Sequence, residues 1–310
     1  MIRNVLFLML IALISSVSLS AQKKNVSKEL DTYYTEALKG ESYFVSGEVI
    51  RAANPGKLLK KSVLYLKDEN ASVRYKAIDL IKRKGLLTSD TLYRQQYVAA
   101  LIDAVKDRDG GNCGAALRGL TFFKPGDFNR ASRDRIKKLL QVKSPHYELL
   151  IKIAGFINDP ETKVILEKTL AEDSILNGKT KWALHLALAR MGDKSNLAYC
   201  IGKVKSVPMS DQVVNYLFPD LVYIRQKEAL QYMLDAVLSD QKSCTSPNPD
   251  SDADIICAFK IIEIVGPVIS NFPLPYENGE VIMENYDKAL LTVREWIESK
   301  PELEIIKNIY

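Results

Sequence analysis

"DENASVRYKAIDLIKRKG" runs from Asp68 to Gly85, and the spacing of its apolar residues decides the fold. Val73, Ala77, Leu80 and Ile81 fall at i, i+4, i+7 and i+8, which is one face of a helix. An Asp-rich turn precedes this stripe. Lys82, Arg83 and Lys84 close it, where positive charge suits the negative end of the helix dipole. The same form, a helical stripe and then a short turn, recurs down the chain. It returns in "CGAALRGLTFFKPGD" (Cys113 to Asp127), "YELLIKIAGFINDP" (Tyr147 to Pro160) and "KWALHLALARMGD" (Lys181 to Asp193). A degenerate copy is "YLFPDLVYIRQ" (Tyr216 to Gln226), and the sixth is "CAFKIIEIVGP" (Cys257 to Pro267).

Measured from Gly85 through Gly126, Asp159, Asp193 and Gln226 to Pro267, the turns are 41, 33, 34, 33 and 41 residues apart. A second helical run follows each turn, as in "PETKVILEKTLAED", "KSNLAYCIGKVKSV" and "KEALQYMLDAVLSD". A period of this size with two helices per unit predicts an all-α chain, a right-handed α-solenoid of about six helical pairs. One pair cannot bury such a face alone, whereas stacked neighbours can.

The segments "LKDENASVRYKAIDLIKRKG" and "KWALHLALARMGDKSNLAYCIGKV" resemble the HEAT-repeat family. They share an Asp-rich turn, a small residue in mid-helix and, in the second, a closing Gly-Asp; Val73-Arg74 of the first becomes Thr180-Lys181 in the second. The resemblance implies HEAT-like repeats over residues 57–270, with capping helices at both ends. Residues 22–56 hold the N-terminal capping helix ("SKELDTYYTEALKG") and a connection. Residues 271–310 hold a loop or small hairpin and the C-terminal capping helices. These include "MENYDKALLTVREWIESK", with Tyr286, Leu290, Val293 and Ile297 on one face.

"MIRNVLFLMLIALISSVSLSAQ" opens the chain with one positive charge, an apolar run and small residues, the pattern of a cleaved signal peptide over residues 1–21. The run is too short to span a bilayer, which needs about 20 residues. The expectation is an exported protein, periplasmic or secreted, with no transmembrane anchor after cleavage. Of its four cysteines, Cys244 and Cys257 flank one polar loop and are the favoured disulfide pair.

Charge is uneven. Residues 51–143 carry 21 Lys/Arg against 9 Asp/Glu, and residues 244–310 carry 5 against 12. The basic part holds the candidate binding residues Lys82, Arg83, Lys84, Arg130, Arg133, Lys137 and Lys138, which stacking of equivalent positions would draw into one stripe. In an exported chain the partner expected is a protein, then an anionic envelope glycolipid or polysaccharide; nucleic acid is disfavoured. Catalytic and metal signatures do not emerge. The two histidines, His146 and His185, have no ligand spacing, and no phosphate loop or nucleophile elbow occurs. "NPDSDADII" sets Asp250, Asp252 and Asp254 at alternate positions, as in a calcium loop. Ile255 and Ile261 then stand where glycine and glutamate are needed, so it reads as a solvated loop. The expectation is a protein-binding scaffold with no cofactor and no enzymatic activity; the alternatives are a polyanion-binding module using the basic face of residues 51–143 and, ranked after it, an enzyme with a site in the solenoid groove.

Overall fold

A computed structural model describes residues 26–41, 43–172, 176–246, 250 and 253–310. The predicted signal peptide, 1–21, lies outside the described residues. The chain is 66% helical with few strands, so the fold is all-α. It divides into two compact units, one reaching Leu139 and including Lys143–His146, the other comprising Leu140–Val142 and Tyr147–Tyr310.

The first unit begins with α1 (26–38) and α2 (Gly47–Ala52). Next come α3 (Pro55–Tyr65), α4 (Ala71–Leu87), α5 (Thr91–Ala104), α6 (Gly110–Leu120) and α7 (Arg130–Leu140). The turn residues start these helices. Asn54, Asn70, Asp90 and Asp109 each accept a backbone N–H of the first turn, supplying orphan donors with a partner. Packing runs to the next helix and to the one after: α4 meets α5 and α6, and α3 meets α4 and α5. Thus α2, α4 and α6 form one row and α3 and α5 another. Arg135 of α7 joins the second row by donating to Asp103 of α5 at 3.0 Å.

Gly85 departs from its expected role as turn punctuation. It lies inside α4, which continues to Leu87. A Cβ there would stand 2.7 Å from Phe123 Cζ, so this glycine admits a ring between helices.

The second unit holds α8 (Tyr147–Ile157), α9 (Pro160–Ala171), α10 (Gly178–Arg190), α11 (Lys194–Lys205), α12 (Phe218–Ile224) and α13 (Lys227–Val237), then α14 (Ala258–Val265) and α15 (Tyr286–Glu298). α8, α10, α12 and α14 pack in succession as one row, and α11, α13 and α15 as another. Within each unit, the helices carrying the six stripes share a row: α4 and α6 in the first, α8, α10, α12 and α14 in the second. Their buried Leu, Ile and Val side chains make the core. Each such side chain contributes about 1.5–3 kcal/mol. Gly155 lets α8 approach α10 closely, since a Cβ there would meet Ala187 Cβ at 2.7 Å.

The degenerate fifth stripe has a local cause. Pro219 has no N–H to give the carbonyl four residues back, and the chain widens into a π-turn over Val213–Leu217 before α12. Two hairpins interrupt the helices. β1 (Lys242–Thr245) pairs antiparallel with β2 (Asp254–Ile256). β3 (Tyr276–Glu277) pairs with β4 (Glu280–Val281) across Asn278-Gly279, both at positive φ as a tight hairpin turn requires. A disulfide joins Cys244 to Cys257 at the root of the first hairpin. After α15 the chain is extended and not helical, unlike the plural capping helices expected there. Tyr286 is exposed, whereas Leu290, Val293 and Ile297 are buried. No helix among the described residues is long and apolar enough to cross a membrane.

Candidate interaction surfaces

Arg74, the arginine of the opening stretch, ties one turn to the next. It is the fourth residue of α4, and its side chain is 5% exposed. Nη1 donates to the Asp68 and Glu69 carbonyls of its own turn, at 2.8 and 2.9 Å. Nε and Nη2 donate to both oxygens of Asp107, 33 residues on, at 2.7 and 2.8 Å. Burial alone would raise the Asp107 pKa. Hydrogen bonds from Arg74, the Asp109 N–H and Asn112 outweigh this and hold it below the usual carboxylate range. Arg94 repeats the device as the fourth residue of α5. It donates to the Thr88 and Ser89 carbonyls and, at 2.8 Å, to Asp127, again 33 residues on. Arg133 sits at the matching place in α7 and donates to the Phe128 carbonyl at 2.9 Å.

The seven candidate cations divide between the two rows of helices and do not form one stripe. Lys82, Arg83 and Lys84 are on α4. Lys84 is buried, 4% exposed, and its ammonium donates to the Arg51 carbonyl; burial lowers its pKa. Arg83 donates to the Val45 carbonyl, lies over the Phe44 ring and faces Asp79, as does Lys82. Arg130, Arg133, Lys137 and Lys138 are on α7. Lys137 pairs with Asp134 at 2.8 Å, while Arg130 and Lys138 are exposed.

A groove of about 480 Å³ opens on the other row, between α3 and α5. Its apolar lining comes from Leu59, Val63 and Leu66 on one side and Ala99, Ala100 and Ala104 on the other. The alanines lower the α5 ridge, so the two helices leave a trough. Lys67, Lys106 and Arg135 rim it, with Gln96 and Asp103. Arg135 spends part of its charge on Asp103, whereas Lys67 and Lys106 are exposed. Leu64, beside Val63, is 66% exposed. None of the seven candidate cations lines this groove, and alanine carries little sequence signal. A run such as Ala99-Ala100 reads equally as core or as surface.

In the second unit several polar side chains are tied to one another. One carboxylate bridges three helices: Asp220 of α12 accepts from Lys152 of α8 at 2.8 Å and from the Trp182 indole of α10 at 2.7 Å. His185 shares a hydrogen bond with Asn196 at 2.6 Å and stacks on Tyr199. Cys200 and Cys113 are buried thiols. Burial and nearby Asp220 push Cys200 up to about 12, and burial with Asp107 raises Cys113, so neither is a thiolate at neutral pH. Among the described residues no group of three His, Cys, Asp or Glu is arranged to hold a metal ion. Asp252 of the calcium-like string lies outside the described residues.

Two further arginines escaped sequence reading, Arg190 at the end of α10 and Arg225 after α12. Both are buried, and both donate to main-chain carbonyls. A carbonyl partner leaves no mark in the sequence.

Compared with family models, with curated proteins and with solved structures, the chain finds no match.

Proposed function

We propose that the chain is an exported HEAT-like α-solenoid, a right-handed stack of about six helical pairs, and that it binds a protein partner without catalysing a reaction. The observation carrying this reading is the α3/α5 groove, an apolar trough of about 480 Å³ with lysines at its rim. Such a surface complements an acidic amphipathic segment, apolar on one side and negative at its edges. The 33-residue arginine ties and the next-but-one packing support the stack. The Cys244–Cys257 disulfide supports an oxidising compartment. Five of the seven cations are engaged within the chain, which favours a protein partner over a polyanion that needs many open charges.

The test is retention of envelope proteins by the purified full chain. A partner held by the native chain should be lost from the Ala99→Trp variant, whose indole fills the trough, and from Lys67→Glu/Lys106→Glu. Retention should also weaken as salt rises. Equal retention by native chain and folded variants refutes the groove as the binding surface. Turnover of a substrate by the purified chain refutes the non-catalytic reading.

A further inference from the structure

The extended segment after α15 runs back across the edge of the second unit, over three successive helix ends. It first pairs with the turn following α14: Ser270 N–H donates to the Glu304 carbonyl and Ile306 N–H to the Val268 carbonyl, both at 2.9 Å. It then passes Arg225, whose Nε donates to the Ile306 carbonyl at 3.0 Å and Nη2 to the Tyr310 backbone oxygen at 3.1 Å. Arg190 follows. Its Nη2 donates to the Ile309 carbonyl at 2.7 Å and contacts the Lys307 carbonyl at 3.3 Å. The Arg190 guanidinium lies over the rings of Phe156 and Tyr223, 4.9 and 4.8 Å from their centroids.

Three features distinguish this edge from ordinary packing of a chain end. First, among the described residues no Asp or Glu side chain is paired with Arg190 or Arg225. Two buried cations therefore depend on backbone oxygens, four of them from residues 306–310. Burial and Arg190 lower the Arg225 pKa to about 9, so it stays charged at neutral pH. Second, the contacts hardly read side chains. Lys307, Asn308 and Ile309 are exposed. Third, the one deep anchor fits imperfectly. The Tyr310 ring packs against Phe156 and Tyr223, yet its hydroxyl is buried with no hydrogen-bond partner.

We propose that this edge is a peptide-binding channel, occupied in the resting chain by residues 304–310. Its partner is an extended peptide that presents consecutive carbonyls to Arg225 and Arg190 and an aromatic side chain to the Phe156/Tyr223 niche. Main-chain hydrogen bonds supply the affinity and the aromatic niche the selectivity. A competing peptide must displace the resident segment. The channel is separate from the α3/α5 groove and does not depend on it.

The experiment titrates a fluorescent, amidated peptide of sequence Glu304–Tyr310 into the full chain and into its Tyr310→Ala variant. Loss of the resident anchor raises the open fraction, so the variant should bind about tenfold more tightly than the native chain. Arg225→Lys in the variant background should lower binding by about tenfold or more, because the planar fork that serves two carbonyls is gone. A scramble that moves the tyrosine away from the last position keeps the carbonyls but loses the niche, so it should bind both chains more weakly than the native-order peptide. Absence of saturable binding to a cooperatively melting Tyr310→Ala chain overturns the proposal, as does equal binding of peptide and scramble. Where the variant does not melt cooperatively, hydrogen exchange in the native chain decides. Ser270 and Ile306 amides exchanging well before those of α10 and α12 support a displaceable segment, whereas exchange only with global unfolding overturns it.

Discussion

The two units solve one problem with different chemistry. Arg74 and Arg94 in the first unit, and Arg190 in the second, each reach 33 residues along the chain to tie successive turns. In the first unit the far end is a carboxylate, Asp107 or Asp127, and the charge is neutralised on the spot. In the second, Arg190 reaches the Tyr223 carbonyl, and its remaining donors go to the segment around Ile309. The first unit is closed in itself and shows an open groove. The edge of the second is complete only with residues 304–310 in place. An ion pair makes a self-sufficient joint, while a carbonyl cage makes one that depends on whatever segment supplies the oxygens.

Removing one member of each tie should separate the two chemistries. Arg74→Ala strands the Asp107 carboxylate in a buried site and should cost about 3–5 kcal/mol. Denaturant unfolding checks this, and the double variant with Asp107→Ala should recover part of the loss. Arg190→Leu strands carbonyls but no charge, so a smaller loss of about 1–3 kcal/mol is expected. A loss equal to that of Arg74→Ala would erase the distinction. Arg94→Ala also strands a carboxylate, Asp127, but that group keeps the Lys124 N–H and its arginine is 25% exposed and partly screened, so a loss of about 1 kcal/mol is expected.

Acid provides the mildest perturbation. A carboxylate with a depressed pKa adds stability above its unfolded value and loses it as pH falls through the folded one. Asp107 is held below its ordinary 3.8. Hydrogen bonds from the Asn196 N–H and from Ser195 outweigh burial at Asp193, and bring that group to about 2. Stability should therefore decline from about pH 4 toward pH 2. The Arg74→Ala chain should decline less steeply than the native chain, while Arg190→Leu should follow the native curve. Melting temperature against pH for the three chains reads this directly.

Much of the helical order was legible. The six stripes are α4, α6, α8, α10, α12 and α14, because a buried helical face must repeat its apolar residues at helical spacing. The Asp and Asn beside the stripes announced turns, and the structure uses Asn70 before α4, Asp159 before α9 and Asp193 before α11 as caps. Elsewhere the residue type misleads. Lys84 counts as surface charge by composition, yet its long stem lets the ammonium reach the Arg51 carbonyl from a buried position. Gly85 looks like a turn but is a packing contact. The α3/α5 groove and the channel under residues 304–310 rest on alanines and backbone oxygens, which carry no side-chain pattern to read.

Hydrogen exchange of the full chain, with and without the partner retained from envelope extracts, asks which of the two units binds. New protection over residues 59–67 and 96–106, with the segment 304–310 unchanged, is the result expected for binding at the groove of the first unit. Protection confined to α8–α12, or release of 304–310 with α3 and α5 unaffected, would contradict it.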